Sequence, residues 1–343
     1  MVDTPRGTTR FTDEVRDAVT GRAAVLVIGA LLLQLAFIAS YVGAFHKPKP
    51  SDVALGVVAP AQVAAQVTER LGALPGDPLD PRRLPDEAEA RRQLHARDID
   101  AALVVDPRGT KDTLLVASGS GASLAQATET VLTRAEKAQG REVRVVDTAP
   151  AAAGDARGLT SFYLVVGWCV GGYLCAAILA ISAGARPANV HRAVIRLAAL
   201  AVYAVVAGLL GALIAGPVLD ALPGSVLGLW GLGALVVFAV GATTLALQGL
   251  AGIVGIGLAI GIVVVLGNPS AGGAYPYPLL PPFWRAIGPA LPPGAGTWTA
   301  RSIAYFGGEA VLGPLLVLAA WAAAGTAVAL VCAARRGRRT AAA

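Results

Sequence analysis

The sequence predicts a polytopic α-helical membrane protein with six transmembrane helices, arranged 1 + 5, and a small extracytoplasmic α/β domain inserted after the first. Three observations predict it. One long apolar run lies near the start and five crowd the last half, each near the roughly 20 residues that a helix needs to cross the hydrocarbon core. Charged residues are only 15% of the 343-residue chain, against about a quarter in soluble domains, while hydrophobic residues reach 55%. The charge is also local, since 16 of the 22 acidic residues fall between His46 and Gly158.

Residues 1–22 come first. Phe11, Val15, Ala18 and Val19 recur at helical spacing, with Asp13, Glu14, Arg16 and Asp17 between them. This pattern predicts an amphipathic helix lying on the cytoplasmic interface. The first span, 23–45, is too long for the h-region of a cleaved signal peptide and reads as an uncleaved signal anchor.

Residues 46–158 alternate in character like a small α/β domain. Strands are predicted at Val53–Val58, Ala101–Val105, Thr113–Ala117 and Val143–Val146, and helices at Ala61–Leu74, Asp86–Arg97 and Ser123–Gln139. Pro75–Pro85, with four prolines bracketing Arg82 and Arg83, reads as a loop. About 113 residues suffice for one modest core. The run Ser118-Gly119-Ser120-Gly121-Ala122-Ser123 leads into a helix and could hold an anion on exposed amides. The preferred reading is a tight turn with Ser120 or Ser123 as the helix cap.

The five-helix membrane domain occupies 159–334, with spans at Phe162–Ala183, Leu197–Leu219, Val226–Leu247, Leu250–Leu266 and Val311–Ala334. As one helix Val226–Leu266 would run about 60 Å, so the chain is expected to fold back near Gln248-Gly249. Gly167/Gly171, Gly224/Gly228 and Gly257/Gly261 have the spacing that permits close helix approach. Between the last two spans, 268–308 is rich in Pro, Gly and aromatics: too broken to cross, too apolar for a free loop. It is expected to form an outer interfacial or re-entrant hairpin with Tyr275, Tyr277, Trp284 and Trp298 at headgroup level and Arg285 and Arg301 snorkelling. A basic tail, 335–343, closes the chain.

Orientation follows from the arginines. With a cytoplasmic N-terminus the inner segments hold Arg6, Arg10, Arg16, Arg22, Arg186, Arg192, Arg196, Arg335, Arg336, Arg338 and Arg339, against Arg285 and Arg301 in the short outer ones. Both termini are therefore expected in the cytoplasm and 46–158 outside. Arg outnumbers Lys 24 to 4, and Ala, Gly and Val dominate, a composition suited to a GC-rich bacterial genome and hence a bacterial plasma membrane. Because the net charge of +6 sits in the membrane part and its flanks, nucleic-acid binding is not expected.

Chemistry is sparse. His46, His95 and His191 are scattered, and Cys169, Cys175 and Cys332 all lie in apolar runs, so neither a metal site nor a disulfide framework is visible. No catalytic constellation and no cofactor are expected. The spans carry no charged residue, which argues against proton coupling or ion conduction and suits an amphipathic or lipid-like cargo.

The layout, together with Asn268-Pro269-Ser270-Ala271-Gly272-Gly273, the run Leu279–Ala295 that contains Pro281, Phe283, Trp284 and Arg285, and Tyr305-Phe306-Gly307-Gly308, resembles ABC-2-type exporter membrane subunits, more narrowly their phage-infection-protein-like branch. The resemblance implies an exporter subunit in the lipid bilayer, a homodimer as expected of such halves, moving an amphipathic or envelope-related substrate. It implies an ATPase contact between the second and third spans, which here falls on Gly184–Arg196 with Arg186, Asn189, His191, Arg192 and Arg196. It also implies an outer gate in 268–308, with Asn268, Pro269, Pro281, Phe283, Trp284, Arg285 and Arg301. The chain has no phosphate-binding G-x-x-x-x-G-K-[ST] loop, so the ATP-binding subunit would be separate. The alternative is a non-transporting envelope scaffold, secretion accessory or surface (phage) receptor, whose α/β domain would dock an envelope protein partner.

Overall fold

The computed structural model describes residues 20–155 and 157–341. The amphipathic helix expected before the first span lies outside them. Among the described residues five helices are long and apolar enough to cross a membrane. They belong to α1 (Gly21–Phe45), α5 (Thr160–Ala183), α6 (Val190–Leu213, continued by a π-helical turn to Val218), α7 (Val226–Ala251) and α11 (Leu312–Ala341). The protein is a polytopic helical membrane protein.

Side chains start several of these helices by accepting backbone amides that would otherwise lack partners. Thr20 accepts from Ala23, Asn189 from Arg192 and Ser225 from Gly228, at 3.0–3.2 Å. Helix α7 is the hub, packed by α5, α6 and α11. Half of its most apolar window is buried, whereas for α1 the share is 6%, which makes α7 the core and α1 a peripheral helix. Val165, Trp168, Leu229, Val236, Val237 and Leu318 fill the centre, and the Trp168 indole donates to the Ala207 carbonyl at 3.2 Å.

The fifth apolar run of the chain forms a shorter helix, α8 (Val254–Ser270), whose second half is π-helical over Gly261–Gly267. At 1.5 Å per residue it is about 25 Å long. The chain folds back at Gly252, a few residues after the expected place, because that residue adopts φ +65°, a conformation that needs glycine. The glycine pairs divide. Gly224 and Gly228 pack on Ile303, and Gly171 on Tyr203, but Gly167, Gly257 and Gly261 meet nothing within 4 Å. The tight helix contacts are made elsewhere, at Gly172 against Val237 and Gly208 against Trp230 and Ala234.

The α/β domain is a five-stranded sheet of β1 (Val53–Val58), β2 (Leu79–Leu84), β3 (Ala101–Val104), β4 (Lys111–Val116) and β5 (Glu142–Asp147), in the order β2-β1-β3-β4-β5. Only β3 and β4 pair antiparallel. Helices α2 (Ala61–Gly72) and α4 (Ala122–Lys137) cover one face through Leu71, Leu124 and Leu132. Helix α3 (Glu87–Ala96) covers part of the other through Ala90 and Leu94. The proline-rich 75–85 stretch, expected as a loop, contains β2. Pro81 sits there without breaking the sheet because β2 is an edge strand bonded only to β1, where a missing N–H can face away from the ladder. The expected serine caps of α4 are also corrected. Gly121, at φ +140°, holds the N-cap position without a side-chain bond; the Ser120 hydroxyl donates to the Ala117 carbonyl and that of Ser123 to the Ala274 carbonyl.

Candidate functional site between the α/β domain and the helical body

Segment 268–308 folds into short helices, chiefly α9 (Pro282–Ile287) and α10 (Pro292–Tyr305), and α10 is buried along most of its length. The snorkelling expected of Arg301 does not occur. Arg301 is buried, 3% exposed, and donates to the carbonyls of Gly272 (2.6 Å), Gly273 (2.8 Å) and Gly158 (3.1 Å). Backbone oxygens replace water as its hydrogen-bond partners, which is what a buried guanidinium requires. Arg285 turns to the α/β domain, donating to the Ser51 carbonyl at 3.1 Å and pairing with Asp52 at 2.9 Å. That guanidinium holds the Asp52 carboxyl below the usual carboxylate range. Each covalent crossing between domain and body is thus held by one arginine of the same segment.

A third arginine comes from the domain. Arg97 follows α3 in a left-handed conformation (φ +63°) that turns its side chain away from the charged helix before it. Its guanidinium carbon lies 3.5 Å from the centre of the Trp298 ring, and it donates to the Trp298 carbonyl and the Ser302 hydroxyl at 2.9 and 2.8 Å. Trp298 in turn stacks on Tyr277, 6.1 Å between ring centres. These two aromatics, expected at headgroup level, are half-buried here because the domain sits over them. Burial pushes the Arg97 guanidinium down to about 9 and that of Arg301 to about 10, and Arg301 adds to the depression of Arg97. Both remain charged at neutral pH.

The serine–glycine turn belongs to this junction. A side chain on Gly119 would stand 2.6 Å from the Tyr305 ring, and one on Gly121 would stand 2.4 Å from Pro276. The glycines let the body dock on the turn. Beside them Asp155, 3% exposed, accepts from the Thr160 amide and hydroxyl through Oδ1 and from the Tyr305 hydroxyl through Oδ2. Burial and the Asp155 carboxylate both raise the Tyr305 phenol.

The other residues singled out from the hairpin do not converge here. Asn268 and Pro269 are buried at the end of α8, which packs on α1. Pro281 caps α9, Phe283 is exposed, and half-buried Trp284 packs edge-on to Phe283.

At the opposite end of the helical body, 184–196 meets the Gly252 turn and the end of α11. Arg196 is buried and donates to the carbonyls of Ala183 and Gly184, closing the end of α5. Arg186 donates to the Leu250 carbonyl at 2.9 Å and does the same for α7. Asn189 caps α6 and lies close to Gly337. His191 and Arg192 are exposed. Among the described residues no group of three His, Cys, Asp or Glu side chains is gathered to hold a metal.

The chain matches no family model, no curated protein and no solved structure.

Proposed function

We propose that the chain is the membrane subunit of an ABC-2-like exporter, moving an amphipathic or envelope-related substrate and driven by a separate ATP-binding subunit. One observation carries the reading: the two ends of the helical body differ in kind. One end bears the α/β domain docked on 268–308, and the other gathers the α5–α6 loop, the Gly252 turn and the basic end of α11. In this reading α8 is the fifth of six crossings, the termini are cytoplasmic, the α/β domain faces outward, and two copies form the translocation path. The side chains of His191 and Arg192 are exposed, close no helix end among the described residues, and would meet an ATPase.

A second reading is favoured by one detail. Arg186 and Arg196 already close helix ends, which leaves little of the loop to receive a conformational signal. That suits a non-transporting envelope scaffold, secretion accessory or surface receptor.

The experiment is purification of the intact protein in mild detergent, with mass spectrometry of what accompanies it. A stoichiometric ATPase supports the exporter. An oligomer without one, or with envelope proteins alone, overturns it in favour of the scaffold or receptor.

A further inference from the structure

Where α3, α10 and the 271–278 stretch meet, the structure forms a partly open cavity of about 40 Å³. At 10–15 Å³ per water-sized group it has room for about three such groups. Its polar lining is Arg97, Arg301, Tyr277, Asp100 and Ser120, and the rest is apolar or aromatic. Two cations, one of which is depressed by the other, therefore line one small space. Neither makes an ion pair with a carboxylate among the described residues. Two polar atoms of the lining residues are shielded from solvent and have no hydrogen-bond partner, the Tyr277 hydroxyl and Arg301 Nε. Buried donors without acceptors are costly, and native structures usually supply them with a bound group or an ordered water that accepts.

The acidic neighbours act on the two cations through space but pair with neither, Asp100 favouring the charged form of Arg97 and Asp155 that of Arg301. Asp100 accepts the Ala54 amide at 3.1 Å, and burial raises its carboxyl while that amide and Arg97 act in the opposite direction. Asp155 is engaged by Thr160 and Tyr305. The Ser120 hydroxyl donates to Ala117.

We infer that this cavity is a binding site for a phosphate group, held by Arg97, Arg301 and the Tyr277 hydroxyl. Two guanidinium groups arriving from different elements suit a tetrahedral oxyanion, whose oxygens diverge, better than a planar carboxylate, which addresses one guanidinium edge. The phosphate can be free or the headgroup of a lipid. This site does not depend on the transport reading.

The test uses the full chain in neutral detergent and in lipid discs. Thermal unfolding is followed in inorganic phosphate against sodium chloride of equal ionic strength, and in phosphatidylglycerol discs against phosphatidylcholine discs. Tyr277→Phe keeps the ring and its stack on Trp298 while removing the unpartnered hydroxyl, so it does not lower the midpoint without ligand. It weakens phosphate binding about tenfold, the loss expected for one hydrogen bond to a charged group. Arg97→Lys, which keeps charge but loses the fork, weakens binding as well. Saturable protection by inorganic phosphate, reduced in Tyr277→Phe, supports a free phosphate. Protection in phosphatidylglycerol discs only, again reduced in the variant, supports a lipid headgroup. Protection by neither, or protection that both variants leave intact, overturns the site and leaves a water-filled cavity.

Discussion

The Tyr305 hydroxyl donates to Asp155 Oδ2 at 2.7 Å, joining the end of α10 to the linker just ahead of α5. The same carboxylate caps α5 through Thr160. Asp155→Ala removes the acceptor of three donors in a buried place and should destabilise the protein by about 2–3 kcal/mol. Asp155→Asn keeps one carbonyl oxygen and should lose less. Thermal unfolding in detergent reads both.

The two arginines of 268–308 should differ sharply. Arg285→Ala removes a partly exposed ion pair and is expected to change stability by about 1 kcal/mol or less. Arg301→Ala leaves three carbonyls without their donor in a buried site, for a loss of about 3 kcal/mol or more. Equal effects would mean that Arg301 is not an interior anchor.

Glu136 supplies a pH dependence. Its buried side chain pairs with Arg70 at 2.6 Å, linking α4 to α2, and burial raises its carboxyl despite that arginine. The unfolded chain therefore releases this proton first. Its contribution is full below the ordinary glutamate range and is lost as pH rises through the raised folded value. Glu136→Gln, which still accepts from Arg70, should match the parent at acid pH and exceed it at neutral pH. Melting curves across pH 4–8 check the sign.

The loop at the opposite end separates support from signalling. Arg196→Ala removes donors from the last carbonyls of α5 and should lower stability by about 1 kcal/mol. His191→Ala with Arg192→Ala changes exposed side chains and should leave the midpoint within about 0.5 kcal/mol. In the exporter reading that double variant abolishes stimulation of a partner ATPase. Unchanged stimulation would remove the loop from the coupling path.

Much of the fold was legible because burial period and run length are local signals. The apolar runs became helices, and β1, α2, α3 and α4 fall within a few residues of their expected bounds. Strand β2 was not legible, because Pro81 reads as a breaker unless its edge position is known. The site was legible only in pieces. The serine–glycine turn signalled a close approach without saying of what, since Tyr305 and Pro276 lie more than 150 residues away. Arg97 carried no signal at all, sitting among other arginines at the end of a charged helix. Arg301 was visible, but an arginine near a membrane surface looks the same in sequence whether its partners are lipid phosphates or three carbonyls.

The two clamps on the chain crossings have a mechanical consequence. Arg285 grips the strand entering the α/β domain at Ser51 and Asp52, and Arg301 grips the strand leaving it at Gly158. Both grips belong to one segment, so the domain has no free pivot at either tether. A torque applied to it is delivered without play to α10 and the start of α5. Domain and segment turn as one rotor, and any slippage must occur deeper, along the seam between α10 and the helices that surround it.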